Sequence, residues 1–313
     1  LPIGHGAGMA PCMTGEQHHK IRAGLIVGIG AYSFWGLLPL YLHLLNGVPA
    51  LQVLAHRILW SVLLLAVIVL ATRSGRPIIA AARGRTLFYL AVSALLIAVN
   101  WLVYIWAVQN AHVVEASLGY FINPLVNVAF GVALLGERLR RWQGAAIAVA
   151  ATGVVALAVI EGGAIWISLV LAFSFSTYGV IRKVAAIDAL GGLTVETLLL
   201  APVMVAYLCY AHGVGQGVFG TSNRLDLLLA LSGVVTAVPL LMFASAARRL
   251  RYTTIGLLQF IAPTLQFVEG VTLFGEHVRF AQLAAFVLIW LGCALYAWDS
   301  LRAARGRVHT KVR

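Results

Sequence analysis

The chain has 313 residues, 61% hydrophobic and only 10% charged, against roughly 45–50% apolar and about 25% charged in soluble domains; this excludes an ordinary soluble enzyme and points to a membrane protein. A net charge of +12 raises the question of a nucleic-acid partner, but no polar stretch is long enough to form the basic domain such binding needs, so none is expected. Cys12, Cys209 and Cys293 are far apart, which argues against a disulfide framework or a metal site.

Residues 1–20 lack the apolar core of a signal peptide and are expected to be a disordered leader or a misassigned start. Ten apolar windows follow, each of about 17 to 25 residues, the length that crosses a bilayer as a helix. They are Ala23–Leu45, Leu51–Thr72, Leu87–Gln109, Val114–Leu135, Gly144–Ile160, Ala164–Ile181, Leu193–His212, Leu225–Ala247, Thr254–Phe274 and Ala281–Trp298. The connections are short and carry Gly and Pro, as tight turns between helices require. A basic tail, 299–313, closes the chain.

Lys and Arg orient these spans. With the N-terminus cytoplasmic, only Arg224 and Arg279 fall in outer connections and only Arg57 lies within a span; the remaining basic residues are all inside. An even number of spans, with both termini in the cytoplasm, satisfies this bias.

The fourth span carries polar residues that hydrocarbon does not tolerate unaided: Glu115, Asn123, Pro124 and Asn127. It also recurs. LGYFINPLVNVAFGVALLGERLR, from Leu118, aligns without gaps to LLQFIAPTLQFVEGVTLFGEHVR, from Leu257, at an offset of 139 residues. Pro124 meets Pro263, Gly131 meets Gly270, and Gly136-Glu137 meets Gly275-Glu276; downstream, Gly153 meets Gly292. Five spans separate the copies, so they enter the membrane in opposite directions. An inverted repeat of this kind is recurrent in transporters, whose substrate sites lie between the repeats near the midplane. A duplicated scaffold without transport is the alternative. The units are 21–160 and 161–298.

These residues resemble the ten-helix drug/metabolite transporter superfamily with its EamA domains, and within it the RarD type. The resemblance is carried by VPALQVLAHRILWS (48–61), NWLVYIWAVQNAHVVEASLGYFINPLVN (100–127), GERLRR (136–141), LAFSFSTYGVIRK (171–183) and AARRLRYTTIGLLQFIAPTLQF (246–267). It implies an all-α integral membrane permease of the cytoplasmic (inner) membrane, built as ten transmembrane helices in two inverted five-helix EamA repeats and linked to chloramphenicol sensitivity. Two positions depart from the family pattern: Leu51 or Gln52 stands where an acid is common, and Glu269 where an apolar residue is expected.

Candidate cavity residues are Arg57, Asn100, Trp101, Tyr104, Tyr120, Asn123, Asn127, Gln259 and Gln266. Arg57 either holds an anionic group of the substrate or pairs with Glu115 or Glu269. Those two acids are the candidates for proton coupling, Glu115 having the alternative of capping the fourth helix. Pro124 and Pro263 are expected to kink their helices. Glu137 and Glu276, three residues before Arg140 and Arg279, suit surface ion pairs, and Arg182-Lys183 suits a topology determinant. The expected partners are the lipid bilayer, a small-molecule substrate and protons as a coupling ion. No cofactor, metal or catalytic residue is expected, since neither a metalloprotease His-Glu-x-x-His nor a nucleophile elbow is present. A channel or uncoupled facilitator is the rival function.

Overall fold

The computed structural model describes residues 15–135, 141–161, 165–247, 249–250 and 258–310. All regular structure among them is helical: α1 (Gly15–Gly36), α2 (Leu38–His43), α3 (Ala50–Ala71), α4 (Gly75–Ala81), α5 (Gly84–Gln109), α6 (Val113–Leu135), α7 (Arg141–Glu161), α8 (Ile165–Val184), α9 (Ala189–Gly213), α10 (Asn223–Ala247), α11 (Ile261–Thr272) and α12 (Phe280–Thr310). Long apolar runs adopt this form because a helix satisfies its own backbone where lipid offers no partners. Six helices among the described residues are long and apolar enough to cross a membrane.

Two details differ from the sequence expectation. Helix α1 begins at Gly15, so residues 15–20, assigned above to the leader, are helical. The ninth expected span does not run through: the chain turns at Gln259–Phe260 and restarts as α11, with Pro263 in its first turn. Proline is tolerated there because the first turn's amides lack intrahelical partners in any case. Pro124 lies within α6, and its side chain lies outside the described residues.

The principal packing joins residues before 161 to residues after it. Helix α3 lies against α9 and α10, α5 against α8 and α9, α1 against α10 and α11, α6 against α8 and α11, and α7 against α12. Helix α3 starts at Ala50 after Pro49, and α9 starts at Ala189 after Asp188, whose side chain accepts the Gly191 amide at 2.8 Å. These two starts stand at the 139-residue offset of the repeat.

The connections gather at two ends. At one, Gln52 donates to the Gln216 carbonyl (2.7 Å) and accepts from the Val218 amide (3.2 Å), Gln109 donates to the Val48 carbonyl (2.9 Å), and the His43 and Phe274 rings lie 5.0 Å apart. At the other, Ile78, Leu90 and Val195 form a small apolar cluster with Ile187 packed against it.

Candidate functional site

Arg57 lies seven residues into α3, 4% exposed. Its Nε donates to Thr236 Oγ1 on α10 (2.6 Å), and the guanidinium carbon sits 4.7 Å from the centroid of the Trp101 ring on α5. Nη1 is buried without a hydrogen-bond partner among the described residues. Desolvating a guanidinium is costly unless its donors are used, so this free donor is an unspent binding group. Tyr41, Tyr104 and Tyr120 all lie within electrostatic reach of Arg57, and the Tyr104 and Tyr120 rings are 5.7 Å apart.

Asn100 has partners throughout. Its Nδ2 donates to the Leu171 carbonyl (3.0 Å) and Ser174 Oγ (2.9 Å) on α8, and its Oδ1 accepts from the Tyr120 hydroxyl (3.3 Å). The side chain therefore ties α5 to α8 and orients Tyr120. The Tyr104 hydroxyl is buried without a hydrogen-bond partner among the described residues and feels both Arg57 and Glu269.

Glu269 on α11 is 4% exposed, and neither carboxylate oxygen has a hydrogen-bond partner among the described residues. Gln266, one turn earlier, donates to the Trp35 carbonyl (3.0 Å), and its Oε1 has no hydrogen-bond partner among the described residues. Asn123 on α6 is fully buried, and neither amide atom has a hydrogen-bond partner among the described residues.

The structure thus brings together Arg57, Trp101, Tyr104, Tyr120 and Asn100, with Glu269 in electrostatic reach of Tyr104. Glu115 lies apart, at the start of α6, 3.2 Å from His112 Nδ1. Gln259 stands half-buried in the turn before α11. The Asn127 side chain, like Glu137 and Arg140, lies outside the described residues.

Two members of the site and a second buried cluster were missed in the sequence. Thr236 holds Arg57, Tyr41 donates to the Leu228 carbonyl at 2.6 Å, and Glu196 builds a second buried ionic cluster. Glu196, 1% exposed on α9, accepts from Ser93 Oγ on α5 (2.5 Å) and the Tyr178 hydroxyl on α8 (3.3 Å), with Arg182 Nε 3.7 Å away. Arg182 also donates to the Asp188 carbonyl (2.9 Å), so its guanidinium turns inward instead of only marking a membrane face. A signal was available: at the 139-residue offset Glu196 stands in the register of Arg57, and Ser232 in that of Ser93.

At the Gln52 end, a cavity of about 320 Å³ is lined by His112, Glu115, Phe274, Glu276 and His277 among others. The two carboxylate oxygens of Glu276 accept the amides of Val113 (2.6 Å) and Val114 (2.7 Å) at the start of α6. Those amides lie on a distant element, a contact that the local Glu276 to Arg279 spacing in the sequence did not reveal.

Residues 22–159 match the model of the EamA-like transporter family. The RarD protein of Streptomyces exfoliatus is 46% identical over 292 residues, covering 93% of each chain. This chain is a RarD-type member of the EamA family. The RarD protein of Escherichia coli is 42% identical over 288 residues, covering 91% of this chain and 97% of that one. The chloramphenicol-sensitive protein RarD of Pseudomonas aeruginosa is 34% identical over 287 residues, covering 90% and 96%. One solved crystal structure superposes with a TM-score of 0.59 at 21% identity, over 88% of this chain and 97% of that one, a likeness of fold. As a RarD-type transporter the chain is a multi-pass membrane protein that handles a small-molecule substrate, and its buried ionic groups belong to a permease.

Proposed function

We propose that this RarD-type protein is a secondary transporter that moves small amphipathic metabolites or drugs across the cytoplasmic membrane by alternating access. It would do so with ten spans in two inverted repeats and both termini in the cytoplasm. The observation that carries the proposal is the central cluster: a buried guanidinium, a buried carboxylate and a tyrosine hydroxyl with donors and oxygens that have no hydrogen-bond partner among the described residues, walled by Trp101 and Tyr120. Unsatisfied ionic groups at membrane depth are costly and mark substrate or ion pathways.

The packing supports the inverted repeat. Exchanging each helix for its counterpart 139 residues away turns the α6–α8 pair into α11–α1, α5–α8 into α10–α1, and α3–α10 into α9–α5, all of which occur. The gathering of connections 44–49, 110–112, 214–222 and 273–279 at one end supports the orientation given by Lys and Arg.

In this mechanism Arg57 receives an anionic group of the substrate or, in a neutral one such as the probe below, an oxygen acceptor for its Nη1 donor; the aromatic rings cover the apolar body, and Glu269 carries the coupling proton. Asn123, Gln259 and Gln266 line the path toward α11, Asn127 lies on the same helix as Asn123, and Pro124 and Pro263 set the course of α6 and α11. Glu115 is the second candidate for coupling. The test uses proteoliposomes with chloramphenicol, the probe suggested by the name of the Pseudomonas relative. Wild type is expected to show exchange accelerated by substrate on the far side, whereas a channel shows none. Arg57→Leu should lower exchange at least about tenfold, the ratio that ~1.4 kcal/mol of lost binding gives. Glu269→Gln should abolish its dependence on a pH gradient while leaving exchange in place; unchanged pH dependence in Glu269→Gln and Glu115→Gln alike removes proton coupling from the proposal.

A further inference from the structure

Glu276 stands in the connection between α11 and α12, after Gly275, whose φ of +67° is a left-handed conformation natural to glycine. That turn aims the carboxylate away from its own helices and across to α6. There it takes the first two amides of the helix, one on each oxygen. The hydrogen bonds are charge-assisted and sit on the positive end of the helix dipole, so their strength depends on the carboxylate being ionised.

The contact joins two groups of helices. Helix α6 packs on α8, and α5 packs on α8; α11 packs on α1, and α1 packs on α10. Glu276 therefore fastens the α5–α6–α8 group to the α1–α10–α11 group at the Gln52 end, beside a cavity open to solvent. Close packing continues just below: a Cβ added at Gly270 of α11 would lie 3.0 Å from Val114 Cγ2.

We propose that Glu276 is the latch that holds the outer end of the transport path shut, and that its protonation from the outer side releases it. A proton delivered by hydronium to one carboxylate oxygen leaves water behind and turns that oxygen into an O–H donor facing an amide N–H donor. One of the two bonds is then lost and the other is no longer charge-assisted. The ionisable groups around it are Glu115 and His112 at the start of α6, His277 and Arg279 on its own connection, and His43 of α2 stacked on the adjacent Phe274. Burial pushes the Glu276 carboxyl above its ordinary 4.5, the two amide bonds pull it down, and the like charge of Glu115 adds to the rise. The latch thus takes up its proton above pH 4.5, as the outer medium acidifies.

The role rests on alternating access as proposed above, and its test needs no substrate. In a background with Cys12, Cys209 and Cys293 replaced by Ser, Ser117→Cys places a thiol one turn below the latch on α6. Thr197→Cys on α9 serves as the reporter at the opposite end. Each is reacted with a bulky maleimide in lipid nanodiscs, with rates normalised at every pH to the detergent-unfolded protein. The expected result is faster labelling at Ser117→Cys on acidification, and about tenfold faster labelling, independent of pH, when Glu276→Gln is added. Val113→Pro removes one of the two amides, keeps the charge and suits the first position of a helix. It should raise labelling at the same reporter. If Glu276→Gln does not fold, Val113→Pro alone decides. Unchanged labelling at Ser117→Cys, or equal acceleration at both reporters, which a merely structural cap would give, overturns the latch. Normal labelling shifts in a protein without counterflow would instead overturn transport and leave the latch standing.

Discussion

Arg182 shows how far a single residue's role departs from its place in the chain. Beside Lys183 at the end of an apolar run, it has the sequence of a topology marker, yet its guanidinium lies against Gly192 and beside buried Glu196. A Cβ at position 192 would collide with that guanidinium. Gly192→Ala should therefore expel Arg182 and strand Glu196. Breaking a buried pair from one side costs about 3–5 kcal/mol, so the thermal midpoint of the purified protein should drop sharply. Glu196→Gln, which still accepts from Ser93, should cost less; equal losses would mean that the ionic contact contributes nothing. Arg57, by contrast, was legible as a site residue because it is the single basic residue within an expected span. Glu196 was not, because identities reveal a repeat and Arg57 against Glu196 is a chemical reversal.

At the scale of elements, helix positions were legible nearly to the residue where apolar runs are long and Gly or Pro punctuates them: Leu51–Thr72 became α3, Ala50–Ala71. The interruption at Gln259–Phe260 was not, since Pro263 predicts a kink without saying on which side the helix stops. What joins the helices was also hidden. Asn100 has the sequence of a cavity amide, but its Nδ2 donates to the Leu171 carbonyl and Ser174 Oγ, a choice set by α8 some seventy residues on. Interhelical hydrogen bonds in membranes are worth about 0.6 to 2 kcal/mol. Asn100→Ala should lower stability by about that amount and weaken transport through Tyr120, which loses its acceptor; Tyr120→Phe should reproduce the transport loss with little loss of stability. Thermal unfolding and counterflow on the two variants separate these effects.

The whole molecule is organised by close approach between its two sequence halves. Gly153 of α7 and Gly292 of α12 stand at the repeat offset, and the structure gives the reason. A Cβ at Gly153 would lie 2.8 Å from the Ala285 carbonyl oxygen, and one at Gly292 would lie 2.6 Å from Ala150 Cβ. Small residues let helices meet backbone to backbone in lipid, where packing substitutes for a hydrophobic driving force. Gly153→Leu and Gly292→Leu should each separate α7 from α12 and cost about 1–3 kcal/mol or more by overpacking, with similar falls in thermal stability. Divergent falls would mean that the two glycines do not share one contact.

The two units expected from the sequence, 21–160 and 161–298, are interleaved by the principal contacts. During synthesis, helices α1 to α7 therefore enter the bilayer before the surfaces they are shaped for exist. Until α8 to α12 emerge, Arg57 has Trp101 and its neighbouring tyrosines but not Thr236, and the start of α6 lacks the carboxylate that caps it. The first half by itself therefore leaves unfilled the faces of α1, α3, α5, α6 and α7 that only the later helices cover.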